Sequence, residues 1–211
     1  MASLAVRSDH RFDGRDADFA GTLELAALLG ERTFRRGRFP LASGRESRIY
    51  FNVKTTMMDP RGALLCAEGL LHVLDRLDFD YMTGLEMGAV PLLGAVAAIS
   101  QQRGNPYRAT FVRKKPKAHG TQLMIEGLVE DRGETLEGKL VALIDDVATS
   151  GGSIFKAVQE VRRAGGRVTD AIVILDREEG AREYLAAEGI ALHTLVTATD
   201  LGVTPEDRLP L

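Results

Sequence analysis

The sequence has a single cysteine, no tryptophan and no long apolar run. Because Cys66 has no second cysteine to pair with, an internal disulfide and a metal cluster built on cysteines are both excluded. No apolar run is long enough to span a membrane, and the N-terminus has no signal-peptide core. We therefore expect a protein of the reducing cytoplasm, without a membrane partner and with Cys66 in its core.

The chain also has no excess of positive charge. Its 27 Lys and Arg and 30 Asp and Glu give a net charge of −3, which provides no electrostatic case for a nucleic-acid partner. Its 211 residues, 45% of them hydrophobic, suit one globular domain. We expect residues 1–18, which show no periodicity, to form a flexible tail before a single domain over 19–211.

The stretch most informative about function is Val141-Ala-Leu-Ile-Asp-Asp-Val-Ala-Thr-Ser-Gly-Gly-Ser153. Its four leading apolar residues predict a strand buried on both faces of a parallel sheet. Asp145 and Asp146 follow where this strand is expected to end, and a loop of small residues then leads into a helix. Glycine turns and the unpaired amides of a helix start suit a phosphate, whereas a carboxylate pair suits ribose hydroxyls or a Mg²⁺ ion. The stretch therefore predicts a site for a phosphorylated sugar.

Two common phosphate-binding loops do not match this stretch. The loop lacks the Gly-Lys-Ser/Thr ending of a P-loop and the Gly-x-Gly-x-x-Gly of dinucleotide-binding folds. A Mg²⁺ site of another kind, or a solvated acidic turn, remains an alternative at this point.

A second cluster is the basic loop Arg113-Lys-Lys-Pro-Lys-Ala-His-Gly120, which follows a strand expected over 107–112. A charge run is usually a solvated face or a nucleic-acid patch. Because the net charge is negative and this cluster is local, a small polyanion is the sharper candidate. A basic loop that closes over a diphosphate would exclude water and stabilise a departing pyrophosphate.

Two more segments could take part in a site. A strand expected over 79–83, the glycine-containing loop 84–92 and an apolar helix to about Gln102 form a second strand–loop–helix unit suited to phosphate. A strand expected over 168–175 is followed by Asp176-Arg177-Glu-Glu179. Arg177 can therefore reach a ligand at the carboxyl ends of the strands, or it can form an ion pair within its own segment.

The N-terminal part is expected to hold an amphipathic helix over 19–36 with a basic end, and a hairpin over 39–52. Residues 54–60 are expected to form a loop before a helix that starts at Pro60. Tyr50 and Phe51 are adjacent on the second hairpin strand and face opposite sides. One of them could stack on a planar ligand, or both could simply pack.

The string over 141–153 closely resembles the phosphoribosyl-diphosphate (PRPP) motif of type I phosphoribosyltransferases. The pattern Arg113-Lys114-x-x-Lys117-x-His119-Gly120 is similar to the basic loop of orotate phosphoribosyltransferases, which purine phosphoribosyltransferases do not usually carry. This resemblance covers most of the chain after the tail. It implies an α/β fold with a mainly parallel sheet flanked by helices, and a small hood contributed by about 37–55.

The resemblance implies an enzyme that converts orotate and PRPP to orotidine 5′-phosphate and pyrophosphate in pyrimidine (UMP) biosynthesis. It assigns catalysis to Lys117, His119, Arg113 and Asp146. It assigns orotate binding to Tyr50, Phe51, Thr149 and Arg177. The residues that it assigns to PRPP are Met87, Gly88, Arg113, Lys114, Lys117, His119, Asp145, Asp146, Val147, Ala148, Thr149, Ser150, Gly151, Gly152 and Ser153.

The same resemblance implies Mg²⁺ as cofactor, bound mainly through PRPP with Asp145 and Asp146 as candidate ligands. It also implies a homodimer in which the loop 113–120 is shared across the interface. Two positions depart from the pattern: Ala42 and the Met87-Gly88 pair stand where some members have lysines. A purine or other base phosphoribosyltransferase, or a PRPP-sensing regulator, remains the alternative.

Overall fold

A computed structural model of the chain describes residues 19–40, 46–115 and 124–208. The expected tail, Ala42 with the hairpin turn, and Lys117 and His119 of the basic loop lie outside these ranges. The helices are α1 (Thr22–Arg32), α2 (Lys54–Met57), α3 (Pro60–Leu74), α4 (Val90–Gln102), α5 (Gly152–Arg163) and α6 (Ala181–Ala187). The strands are β1 (Phe34–Pro40), β2 (Glu46–Phe51), β3 (Tyr81–Thr83), β4 (Phe111–Val112), β5 (Ile125–Glu126), β6 (Val141–Ala148), β7 (Asp170–Asp176) and β8 (Ala191–Thr197). Two short 3₁₀ turns cover Glu130–Arg132 and Glu206–Arg208.

The main sheet consists of β3, β6, β7 and β8, which pair in that order and are all parallel. Single bridges from Met82 to Ala109 and from Leu85 to Val112 place the segment containing β4 along the other edge of β3. β4 in turn pairs with β5 in an antiparallel ribbon. The prediction of an α/β fold with a mainly parallel sheet is confirmed.

Helices cover both faces of this sheet. Apolar side chains of α1, α3 and α4 pack with Ala142 and Ile144, whereas those of α5 and α6 pack with Val141 and Leu143. Successive side chains of a strand point to opposite faces, so the four apolar residues that open β6 contribute to both cores. Cys66 lies fully buried in the first of them, as predicted. No described helix has the length and apolar character needed to cross a membrane.

The order of the strands creates a switch point beside β3. The segment containing β4 lies on one side of β3, and β6, which comes later in the chain, lies on the other. In open α/β sheets ligands bind in the crevice outside the carboxyl ends of the strands at such a point. The fold therefore directs a ligand to the loops that follow β3 and β6.

The antiparallel hairpin of β1 and β2 forms a separate two-stranded sheet, the hood. Its Phe34 and Ile49 pack against Ala198 and Val203 after β8. The hood begins earlier than predicted, because the expected helix over 19–36 is wrong at its end: α1 stops at Arg32.

The two arginines assigned to that helix end belong to β1. Arg35 pairs with Tyr50, and Arg36 pairs with Ile49 across the hairpin. Pairing with a strand more than ten residues away has overridden the local helical spacing. A smaller correction concerns residues 54–60, predicted as a loop, where the short helix α2 forms.

Candidate active site

The acidic pair lies inside the central strand and not after it. β6 extends to Ala148, so Asp145 and Asp146 are strand residues, only 6% and 5% exposed. The prediction that the strand ends before them is wrong, because pairing with β7 continues as far as Ala148. The backbone N–H of Asp146 donates to Oδ1 of Asp145 at 3.0 Å, which fixes the first carboxylate against the strand.

The charge on this pair is only partly compensated. Burial, and after it the charge of Asp146, raises the pKa of the Asp145 carboxyl to about 7. Nζ of Lys54 lies 2.8 Å from Oδ2 of Asp146 in an ion pair. A buried pair of carboxyl groups with one ammonium on its second member is well suited to accept hydrogen bonds from the hydroxyls of a ligand.

Lys54 is the site residue that sequence reasoning missed. It lies at the start of α2, in a segment predicted as a loop, and 92 positions separate it from Asp146. No motif or local spacing links the two residues, because α2 and the central strand meet only in the folded chain.

The phosphate loop follows directly on β6. Val147 and Ala148 are the last strand residues, and Gly151 has a φ of 82°, a left-handed conformation that suits glycine. The chain then enters α5 at Gly152, and among the described residues no side chain caps this helix start. Its first amides therefore remain available to an anion, and the exposed Ser150 and Ser153 offer hydroxyls beside them.

The loop after β3 approaches the acidic pair closely. A Cβ atom on Gly88 would lie 2.5 Å from Oδ1 of Asp145 and 2.7 Å from Oδ1 of Asp146. A Cβ atom on Gly84 would lie 2.1 Å from the carbonyl oxygen of Ile144. Both glycines thus allow this loop to lie against β6, and the structure brings together the two strand–loop–helix units that the sequence predicts.

The first residues of the basic loop contact neighbours other than the acidic pair. Nη1 of Arg113 lies 3.5 Å from Oε1 of Glu126 on β5. The backbone N–H of Lys114 donates to Oε1 of Glu86 at 2.8 Å, which joins the basic loop to the loop after β3. Lys117 and His119 lie outside the described residues, so their roles stay predictions.

Arg177 lies between the hood and the phosphate loop. Its backbone N–H donates to the carbonyl oxygen of Ala148 at 2.9 Å, and its guanidinium carbon lies 5.2 Å from the centre of the Phe51 ring. The guanidinium also pairs with Glu179, so the alternative of a local ion pair holds alongside the contact with the hood. Tyr50 faces the other side of the hairpin, is 46% exposed and stacks on Phe39.

The described residues do not form a metal centre of their own. No group of three or more His, Cys, Asp or Glu side chains within these ranges could hold a metal ion. Asp145 and Asp146 nevertheless provide the hard oxygen donors that Mg²⁺ prefers, and Mg²⁺ in substrate complexes commonly takes one or two carboxylates together with phosphates. The acidic pair fits a Mg²⁺ ion that arrives with a phosphorylated ligand.

Comparisons with known proteins agree with this geometry. Residues 70–188 match the phosphoribosyl transferase domain family. An orotate phosphoribosyltransferase from Bradyrhizobium sp. strain BTAi1 is 51% identical over 181 residues, which cover 86% of this chain and 97% of that protein.

Solved structures are similar over the same extent. The orotate phosphoribosyltransferase of Mycobacterium tuberculosis H37Rv, in complex with Fe(III) dicitrate, superposes with a TM-score of 0.73 at 32% identity. The superposition covers 86% of this chain and 99% of the tuberculosis protein. A crystal structure of the same protein in complex with PRPP has a TM-score of 0.70 at 29% identity, with the same two coverages.

Proposed function

The chain belongs to the orotate phosphoribosyltransferase family, and we propose that it transfers the 5-phosphoribosyl group of PRPP to orotate, with orotidine 5′-phosphate and pyrophosphate as products. The observation that carries this proposal is the meeting of three parts at one switch point. The acidic pair, the loop that contains Gly88 and the uncapped start of α5 all lie at the carboxyl ends of β3 and β6. They match a ribose, a diphosphate and a 5′-phosphate respectively.

The 5′-phosphate is proposed to bind residues 147–153. The amides that open α5 donate to its oxygens, and the helix dipole favours its negative charge. Thr149, Ser150 and Ser153 add hydroxyl donors around it. Gly151, in a left-handed conformation, makes the turn from the loop into the start of α5.

The ribose hydroxyls are proposed to donate to Asp145 and Asp146. Asp145 and Asp146 would hold a Mg²⁺ ion that arrives with the diphosphate, and the ion would supply positive charge against the charge of the leaving group. Because both carboxyl groups are buried and therefore have few available positions, they would hold the sugar in one orientation. The anomeric carbon is thereby positioned for displacement.

Orotate is proposed to bind between the hood and β7. Arg177 pairs with its carboxylate, and Phe51, already in contact with Arg177, lies against its ring. Tyr50 and Thr149 complete this end of the site. In the reaction a ring nitrogen of orotate forms a bond to the anomeric carbon as the bond from that carbon to the diphosphate oxygen breaks. The proton of that nitrogen leaves in the same conversion, to the departing pyrophosphate or to water. The negative charge of orotate is on its carboxylate, which Arg177 is placed to pair with.

The departing pyrophosphate is proposed to be neutralised by the basic loop 113–120 of a second copy of the chain. Arg113, Lys114, Lys117 and His119 are the groups that would contact it, so the active form is a homodimer. A location in the cytoplasm, expected from the sequence, also stays a prediction.

A panel of bases tests the proposal. Purified protein with Mg²⁺ and PRPP is offered orotate, uracil, hypoxanthine or adenine, and release of pyrophosphate is measured. Of these four bases, we expect only orotate to cause release of pyrophosphate. Release with a purine but not with orotate would indicate the alternative base specificity. Binding of PRPP without release for any base would indicate a PRPP-sensing regulator.

A further inference from the structure

The loop after β3 has no cation with which to meet a diphosphate. Its sequence Gly84-Leu-Glu-Met-Gly-Ala-Val-Pro-Leu92 contains no Lys or Arg, and its one charged residue, Glu86, is acidic. The neighbouring pair, Asp145 and Asp146, adds more negative charge. A diphosphate placed here would be repelled unless cations reached it from other elements. The basic loop proposed above would provide them from the second copy of the chain.

Within the same subunit, Lys54 is the cation that pairs with the acidic pair beside this loop. Its Nζ lies 2.8 Å from Oδ2 of Asp146, and Gly88 approaches the other oxygen of the same carboxylate. The ammonium and the loop after β3 are therefore separated by a single carboxylate. Among the described residues, Lys54 is the one cation in an ion pair with either member of the acidic pair.

The turn that carries Lys54 is mostly buried, whereas the side chain of Lys54 is largely exposed. Val53, Thr56 and Met57 of the same turn are buried, and Oγ1 of Thr56 lies 2.8 Å from Oγ1 of Thr33. The side chain of Lys54 itself is 54% exposed, against 7% for that of Asp146. An ammonium has three donors. One is used by Asp146, and the others can reach a ligand.

We propose that Lys54 is a PRPP-binding residue, which stays on Asp146 and donates from its ammonium to the diphosphate group. This inference rests on the proposed function in assuming that the diphosphate lies against the loop after β3. Glycine at position 88 is part of the same arrangement, because a side chain there would displace the carboxylate that holds the ammonium. The helix α2, which follows the hood, thus contributes a cation to the leaving group within its own subunit.

The binding of two simple ligands distinguishes contact of Lys54 with the diphosphate from a purely structural role. Pyrophosphate with Mg²⁺ carries the diphosphate alone, whereas ribose 5-phosphate carries the hydroxyls and the 5′-phosphate. If Lys54 contacts the diphosphate, the variant Lys54→Met should bind pyrophosphate and PRPP roughly 10- to 100-fold more weakly. Its affinity for ribose 5-phosphate should stay within about threefold of wild type. Isothermal titration calorimetry measures the affinity for all three ligands.

Three further variants complete the experiment. Lys54→Gln, which keeps a donor without the charge, should lose pyrophosphate affinity as Lys54→Met does, and it serves in place of Lys54→Met if that variant does not fold. Lys54→Arg should retain most of the affinity. Lys139→Met is the matched control, because Lys139 pairs with Asp80 at the opposite end of β6. This variant should bind all three ligands with the affinity of wild type.

Two outcomes would overturn the proposal. Equal losses for pyrophosphate and ribose 5-phosphate would mean that Lys54 only organises the acidic pair, and unchanged affinities would mean that it contacts no ligand. None of these titrations needs orotate. A wild-type protein that binds PRPP but does not use orotate would therefore contradict the proposed function and leave the result on Lys54 intact.

Discussion

Gly88 lies so close to Asp145 that a Cβ atom on the glycine would be 2.5 Å from Oδ1 of the aspartate. Real Cβ atoms essentially never come this near, so any side chain at position 88 must displace a carboxylate that is buried and fixed by the backbone of Asp146. The contact joins the two loops of the candidate site.

We expect Gly88→Ala to lower kcat/KM for PRPP at least about tenfold. The displaced carboxylates would no longer accept the hydrogen bonds of the ribose hydroxyls, which position the anomeric carbon for displacement. Steady-state kinetics with varied PRPP measures this. Gly94→Ala in α4 is the matched control: its Cβ would meet nothing within 4 Å. It should keep full activity and gain up to about 1 kcal/mol of stability. Equal kinetics in the two variants would show that the close contact has no role.

Arg177 provides a test of the orotate end. Arg177→Ala should raise KM for orotate by roughly 10- to 100-fold, since a charge-assisted contact to a carboxylate is lost. Protection of the protein by PRPP against thermal unfolding should change little. Arg162→Ala is the control, because Arg162 also lies over a phenylalanine, Phe155, but has no assigned role in the candidate site. A loss of PRPP protection in Arg177→Ala, with KM for orotate unaltered, would contradict the assignment.

The basic loop provides a test of leaving-group stabilisation. Lys117→Ala should lower kcat by roughly 100-fold or more, because a cation that meets charge developing in the transition state is removed. The midpoint of thermal unfolding should stay near that of wild type, since we expect the loop to contribute little to the core. Turnover equal to that of wild type would remove Lys117 from the mechanism.

The single cysteine reports on folding and on pH. Burial raises the pKa of the Cys66 thiol to about 12. The folded chain therefore keeps the thiol neutral, and iodoacetamide at pH 8 should label it only as fast as the protein unfolds.

The sign of the pH effect follows from the same shift. A pKa raised on folding gives a stabilising contribution that is complete below the ordinary thiol value of about 9 and decreases as pH rises towards 12. Urea unfolding of wild type and Cys66→Ala at pH 8 and pH 11 measures it. The stability difference between them should shrink at the higher pH. Rapid labelling of the folded protein at pH 8 would contradict the buried position.

Local sequence was sufficient for the parts of the fold that depend on one segment. The start of α3 follows from Pro60, and the end of α4 at Gln102 and the succession of strand, loop and helix after Val141 follow from apolar spacing and glycine positions. These elements also bring together most of the candidate site, because the carboxyl ends of parallel strands share one edge of the sheet.

The errors concern features that depend on distant pairing. Arg35 and Arg36 continue a helical pattern, yet they belong to β1 because β2 pairs with them. Asp146 looks like the residue after a strand, yet β7 extends the pairing past it. Lys54 could not be found at all, since its contact with Asp146 forms only when α2 meets the sheet.

The central claim is that the crevice between β3 and β6 transfers a phosphoribosyl group to orotate. The most direct measurement mixes the purified protein with Mg²⁺, PRPP and orotate and follows both the loss of orotate absorbance and the pyrophosphate formed. The account predicts equal amounts of orotate lost and pyrophosphate gained, and no change when PRPP or Mg²⁺ is withheld. Orotate that stays unconsumed in the complete mixture, with protein that is folded, would contradict it.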